Sequence, residues 1–206
     1  MNYDNRALAI GPLRMGYRVE GAGGPWVVLL HGLRSHSGTW RKLFPVLSGS
    51  FRVVAPSLPA PPPGGATSEL ADGYAELVRA VCAEARVERA CIVGNSMGGW
   101  VAMRLVSRHP GLVSGVVLED SAGTGSEDVE AVARARVPAL IVWGASDQVL
   151  SPNLGSELHS RLPGSELRVL AGAGHVPHWE TPEAFDGLVA EFLRRNLGGP
   201  VSALSR

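Results

Sequence analysis

Short apolar runs alternate along the chain with stretches whose apolar positions recur every three to four residues. WVVLLHG (26–32) is too short for a helix and rich in β-branched and aliphatic side chains, which marks a strand buried on both faces. FRVVAPS (51–57), ACIVGN (90–95), VSGVVLED (113–120), PALIVWG (138–144) and LRVLAG (167–172) read the same way. Between them the period lengthens. Trp40, Leu43, Phe44 and Leu47 share one helical face, as do Leu70, Tyr74, Leu77, Val78 and Val81, and again Phe185, Leu188, Val189, Phe192 and Leu193. SMGGWVAMRLVSRHPG predicts a helix stopped by Pro110 and Gly111. LRMGYRVEG (13–21) reads as an additional edge strand, APSLPAPPPGGATSE (55–69) as a Pro/Gly loop, and GGPVSALSR (198–206) as a frayed tail. Strands alternating with helices of this length predict an α/β fold, a mostly parallel central sheet with helices on both faces.

Composition narrows the picture. The 206 residues suit one domain, taken as 1–206, with 45% apolar and 18% charged residues as in a globular chain. Lys plus Arg equals Asp plus Glu at 19 each, so charge gives no case for nucleic acid or an anionic membrane as partner. Cys82 and Cys91 fall in a predicted helix and strand and form neither a metal-ligand spacing nor a disulfide framework. The N-terminus has no basic region followed by an apolar run, and no run approaches the roughly 20 residues of a membrane span. The expected location is the cytoplasm.

The chemistry gathers at predicted strand ends, where ligands bind in open α/β sheets. GNSMGG (94–99) sits between a buried strand and a helix, with Ser96 flanked by Gly94 and Gly98. A sharp turn there raises the serine to an apex and points the Met97 amide into the same space, half of an oxyanion hole. A neutral hydroxyl needs a base. Of six histidines, His175 follows the last predicted strand in AGAGHVPHWE, while His31 lies on a tight earlier loop. His36 is in a loop, His109 and His159 look like helix-surface positions, and His178 and Trp179 read as anchors for the last helix. The imidazole needs a carboxylate to fix its tautomer. Asp147, in WGASDQVLSP, is favoured, because Ser151 already suits the helix cap before Pro152; Asp120, in VVLEDSAG, is the fallback acid and Glu119 a weaker option.

LLHGLRSHSGTW, GNSMGGWVAM, VPALIVWGASDQVLSP and GAGHVPHWETPEAF together resemble the α/β-hydrolase superfamily, in the order Ser, Asp, His. The resemblance implies Ser96 as nucleophile, His175 as general base and then acid, and Asp147 as orienting carboxylate. It implies the backbone amides of Met97 and Leu33 as oxyanion donors, a structural His31, and no cofactor. Ser96 stands where dehalogenases and epoxide hydrolases of this fold carry aspartate, and Asn95 gives the elbow a likeness to meta-cleavage-product hydrolases and to esterases.

Two departures matter. The relatives' aspartate-led loop is replaced by APSLPAPPPGG, with Ser57 near the acid's place. Only SAGTGSEDVEAVARARV separates Asp120 from Pro138, room for one short helix, so the cap is expected to be absent or minimal. An open site suits small or protruding esters or thioesters, or an acyl group presented on a carrier. Arg34, beside the oxyanion loop, and Trp100, one turn past Ser96, are candidate pocket residues, although each also fits an ordinary surface or packing role. The alternatives are a carbon–carbon hydrolase or a lyase or cyclase using the same site and, from another class, a binding protein with a vestigial one.

Overall fold

The computed structural model describes residues 4–61 and 63–198. Eight strands form one sheet: β1 (Asp4–Ile10), β2 (Leu13–Glu20), β3 (Trp26–Leu30), β4 (Arg52–Pro56), β5 (Ala90–Asn95), β6 (Val113–Glu119), β7 (Ala139–Gly144) and β8 (Glu166–Leu170). Their spatial order is β1-β2-β4-β3-β5-β6-β7-β8. The first two pairings are antiparallel and every later one is parallel. The six strands expected from the short apolar runs are present within two residues of their predicted ends, the last of them, β8, at the far edge of the sheet. The expectation that residues 13–21 form the edge is corrected: β2 lies between β1 and β4, and β1 takes the edge.

Helices cover both faces: α1 (Leu43–Leu47), α2 (Ser68–Glu84), α3 (Met97–Arg108), α4 (Asp128–Ala135), α5 (Asn153–Arg161), α6 (Pro177–Glu180) and α7 (Pro182–Leu197). Strand alternation divides the core. Val28, Leu30, Ile92 and Val116 face one layer with Val78, Val101 and Leu105 of α2 and α3. Val27, Leu29, Val93 and Val117 face the other with Phe44 of α1 and Phe185 and Val189 of α7. Burying such a side chain contributes about 1.5–3 kcal/mol, so the central strands are the strongest part of the fold and their ends a rigid base for a site. The face expected to run from Trp40 to Leu47 is split between a 3-10 turn, Ser37–Lys42, and the single-turn α1. Cys82 and Cys91 are free and buried. No helix among the described residues is long and apolar enough to cross a membrane. Of the predicted tail, only Gly198, the left-handed cap of α7, lies within the described residues.

The segment after β6 does not fold over the strand ends. Asp128, fully buried at the start of α4, accepts from Arg104 Nε at 2.8 Å and from Trp100 Nε1 at 2.9 Å, and so clamps α4 onto α3. Arg104 also reaches Asp72 of α2. A buried pair of this kind fixes one arrangement, since removing either partner strands a charge at a cost of about 3–5 kcal/mol. No cap is present among the described residues.

One buried carboxyl works against the fold. Asp186 of α7 is 7% exposed, and its Oδ1 has no hydrogen-bond partner among the described residues. Burial first, opposed by His178 and Lys42 and reinforced by Glu119 and Glu183, pushes it up to about 7 from an ordinary 3.8. Between those values the unfolded chain has released the proton and the folded chain still holds it. Stability therefore falls as pH rises through the window. Urea midpoints should drop between pH 4.5 and 7.5, and Asp186→Asn should recover on the order of 1–4 kcal/mol at pH 7.5 with little change at pH 4.5. An equal effect at both pH values would show that ionisation of Asp186 is not the cause.

Candidate active site

The turn after β5 is built from close backbone contacts. A Cβ on Gly94 would lie 2.2 Å from the Gly98 carbonyl oxygen, and one on Gly98 would lie 2.2 Å from that of Leu30. Only glycine fits either place, and the two together lock α3 down against β3 and β5. Between them Ser96 is forced to φ 52 and ψ −115, a backbone that L-residues rarely adopt. Its N–H donates to Glu119 O at 2.8 Å and its carbonyl accepts from Ala122 and Gly99, each at 3.0 Å. The side chain makes no capping bond to α3. Helix capping, the ordinary task of a serine here, is thus left undone.

The β3 loop closes over this turn. A Cβ on Gly32 would lie 2.9 Å from Asn95 Oδ1 and 3.2 Å from Ser96 Cβ, so Leu33 follows directly beside the serine. In the turn and loop hydrogen bonds of the described residues, the Leu33 and Met97 amides donate to no protein group. His31 is buried; its Nε2 accepts from Leu58 N–H at 2.8 Å and its Nδ1 meets Gly32 O at 2.8 Å. Burial lowers its basicity, so it holds the loop as a neutral ring. Ser57 donates to Ser37 Oγ at 2.8 Å and ties the Pro/Gly loop to the same region.

Three strand ends deliver the remaining groups. Ala145 N–H donates to Leu170 O and Ser146 N–H to Ala173 O, pinning the β7 loop to the β8 loop. A Cβ on Gly144 would lie 1.9 Å from Gly174 O, so the two loops cross in contact. Asp147 Oδ2 consequently sits 2.7 Å from His175 Nδ1, and Asp147 Oδ1 accepts the Val149 and Leu150 amides at 2.7 and 3.0 Å. Burial works to raise the Asp147 carboxyl, but the His175 bond and the two amides outweigh it and hold it below the ordinary value. Asn95 Nδ2 donates to His175 O at 3.0 Å, which fastens the histidine loop to the serine turn. Ser96 and His175 line one cleft of about 280 Å³ with Gly32, Leu33, Thr39 and Val149. That is at the small end of ligand sites, which run from about 300 Å³ upward.

The other candidates divide. Asp120 is not the carboxylate bonded to His175; its Oδ1 accepts Gly144 N–H at 3.0 Å. Glu119 goes to a different histidine, accepting from His178 Nδ1 at 2.8 Å, while His178 Nε2 lies 2.7 Å from Thr39 Oγ1 and its ring stacks on Trp40. His178 is an anchor, as expected. Of the two roles open to Trp100 and Arg34, the structure places neither residue in the cleft lining. Trp100 does not line the cleft, because its indole is committed to Asp128 and packs against Gly123. Arg34 does not line it either; it sits exposed at φ 61 between Leu33 and Ser35, which do. The lining residues Thr39, Val149 and Val176 were not singled out from the sequence, nor was Glu180, which accepts the Val176 N–H at 3.1 Å and also the Gly174 N–H. Asp120, Asp147 and His175 each place a metal-capable atom within 4.8 Å of the others. The 2.7 Å contact inside that group is, however, a hydrogen bond between two of them.

The sequence profile for the α/β hydrolase fold matches residues 25–134, more than half of the chain. The chain belongs to the α/β-hydrolase family. Among its relatives is the pimeloyl-[acyl-carrier protein] methyl ester esterase of Methylococcus capsulatus, 32% identical over 186 residues, covering 80% of this chain and 72% of that protein. Among solved structures, a protein described as a predicted CIB-like hydrolase from Thermoplasma acidophilum superposes with a TM-score of 0.81 at 25% identity, covering 95% of this chain and 99% of that one. The enol-lactonase of Burkholderia xenovorans LB400 superposes with a TM-score of 0.77 at 22% identity, covering 91% and 99%, a likeness of fold. This α/β hydrolase therefore shares its sheet with enzymes of several substrates, and its own chemistry has to be argued from its site.

Proposed function

We propose that this α/β hydrolase is a serine hydrolase that cleaves a small ester or thioester through an acyl-enzyme. The observation that carries the reading is the strained Ser96, left uncapped, in one cleft with a His175 whose Nδ1 is bound to Asp147. With Nδ1–H donating to Asp147, Nε2 is the free basic nitrogen. Ser96 Oγ adds to the acyl carbon as its proton passes to His175 Nε2. The carbonyl oxygen gains the electron pair and is met by the Leu33 and Met97 amides. The tetrahedral adduct then collapses, the bond to the alcohol or thiol breaks, and His175 protonates that group. Water repeats the sequence and frees the acid.

The shape of the site supports a small acyl group with a leaving group reaching outward. Beside the cleft lies a second hollow of about 350 Å³ that shares Ser35, Thr39 and Val176 with it and is lined also by His36, Arg41 and Trp179. No cap encloses either one, which favours an ester or a carrier-bound thioester over the enclosed diketones of carbon–carbon hydrolases. The methyl esterase relative, whose name carries an acyl-carrier ester, adds weight to that choice. A fluorophosphonate probe, p-nitrophenyl acetate and p-nitrophenyl butyrate test it together. Labelling with turnover is the expected result. Labelling without ester turnover would move the assignment to carbon–carbon cleavage or to a lyase, and absence of both would leave a ligand-binding protein.

A further inference from the structure

Asp120 is a carboxyl for which the proposed mechanism has no task. It follows the end of β6 at φ 42 and its side chain is 0% exposed. Oδ1 takes the Gly144 N–H. Oδ2 is buried, and among the described residues no N–H or O–H reaches it. A carboxylate oxygen of Asp120, one of Asp147 and a ring nitrogen of His175 lie within 4.8 Å of one another. Glu119 precedes it in the chain and is spent on His178. Among the described residues no Lys or Arg forms an ion pair with it.

If Asp120 were ionised, three carboxylates would share a dry strand end with two imidazoles, and Oδ2 would present lone pairs to no donor. Of two carboxyls this close, each ionised one disfavours ionisation of the other, the more so where burial removes water. Asp147 is the one that keeps its charge, because His175 and two amides donate to it. A single proton on Asp120 removes the repulsion and turns the orphaned acceptor into a donor.

We propose that Asp120 carries that proton in the working protein and donates it as an O–H hydrogen bond to Asp147, making it a positioning residue that fixes the Asp147 carboxylate against His175. The assignment rests on the Ser96–His175–Asp147 reading above. Burial, reinforced by the Glu119 charge, pushes the Asp120 carboxyl up to about 9, in keeping with it. The left-handed backbone adds a practical point: asparagine tolerates that conformation, is isosteric, and supplies an N–H where the O–H stood.

The experiment compares wild type, Asp120→Asn and Asp120→Ala for pH dependence of kcat/KM on p-nitrophenyl acetate, with fluorophosphonate labelling alongside. Infrared difference spectra of wild type against Asp120→Asn at pH 7 supply a readout without turnover. The amide variant should keep kcat/KM within about threefold and leave the acid limb in place, because no charge has been removed. Alanine should lower kcat about tenfold or more at similar KM, having left Asp147 without its donor. Wild type should show a protonated-carboxyl band that the amide variant lacks. An acid limb that drops by about one unit in Asp120→Asn would reveal a charge that had been stabilising imidazolium, and would overturn the proposal. Absence of the band would overturn it equally, even if the variants misfold. If wild type takes no phosphonate label, the hydrolase reading fails, and the band alone decides the state of Asp120.

Discussion

Ser96→Ala is expected to lower kcat/KM for p-nitrophenyl esters by a factor on the order of 10⁵ while leaving the protein folded. The nucleophilic oxygen is lost, but the turn is held by Gly94, Gly98 and the Glu119 and Ala122 hydrogen bonds, none of which uses the Ser96 side chain. What remains is binding together with the two oxyanion amides, worth a small residual rate. The same site makes an opposite prediction for stability. Holding a non-glycine residue at φ 52 and ψ −115 costs about 1–3 kcal/mol. Alanine retains that cost and glycine removes it, less the roughly 0.5–1 kcal/mol that glycine loses in chain entropy. Ser96→Gly should therefore be inactive and yet more stable in urea than Ser96→Ala by about 0.5–2 kcal/mol. A Ser96→Ala rate within tenfold of wild type would remove Ser96 as nucleophile. Equal stabilities of the two variants would remove the strain.

What the sequence could disclose follows from how each feature is written in it. The central strands are legible because both faces are covered: ACIVGN and ALIVWG have no polar face to disguise them. β1 is written differently. DNRALAI is mostly exposed and alternates only at its end, where Leu8 and Ile10 are half-buried against the core and Ala9 is open; the turn through Gly11, at φ 57, folds it back on β2. Ser96 and Asp147 are legible because each lies just past a fully buried strand, and His175 because it follows β8, a short apolar run that is only half-buried; the parallel order brings those ends together. Trp100 was not, since its partner Asp128 is 28 residues further on. Glu119 and Asp120 are adjacent, and sequence alone cannot say which meets a histidine. At the strand end they part: Glu119 goes to His178 beside Trp40, and Asp120 toward Gly144 and Asp147. Thr39 and Val149 line the cleft only through loop geometry, for which no residue pattern speaks.

Asp147→Asn should lower kcat at pH 7 by about 10³–10⁴. The reason is the identity of a proton rather than loss of structure. Asparagine Oδ1 can still accept the Val149 and Leu150 amides, so the turn after β7 survives. Its Nδ2 would then face His175 Nδ1, where Oδ2 now sits at 2.7 Å. An N–H there turns His175 Nδ1 into the acceptor and moves the ring proton to Nε2, the nitrogen that must take the Ser96 proton. The base is then present and correctly placed but already occupied. Acylation, read as the p-nitrophenol burst in single-turnover mixing, should slow by the full factor, and fluorophosphonate labelling should slow with it. Asp147→Ala should be as slow and should also lower stability by about 1–2 kcal/mol, because two turn amides lose their acceptor. A contrary outcome has one physical meaning. If Asp147→Asn kept the wild-type burst while Asp120→Asn abolished it, the charge serving His175 would be on Asp120. The proton assigned to Asp120 would then belong on Asp147, despite the three donors gathered around the Asp147 carboxylate.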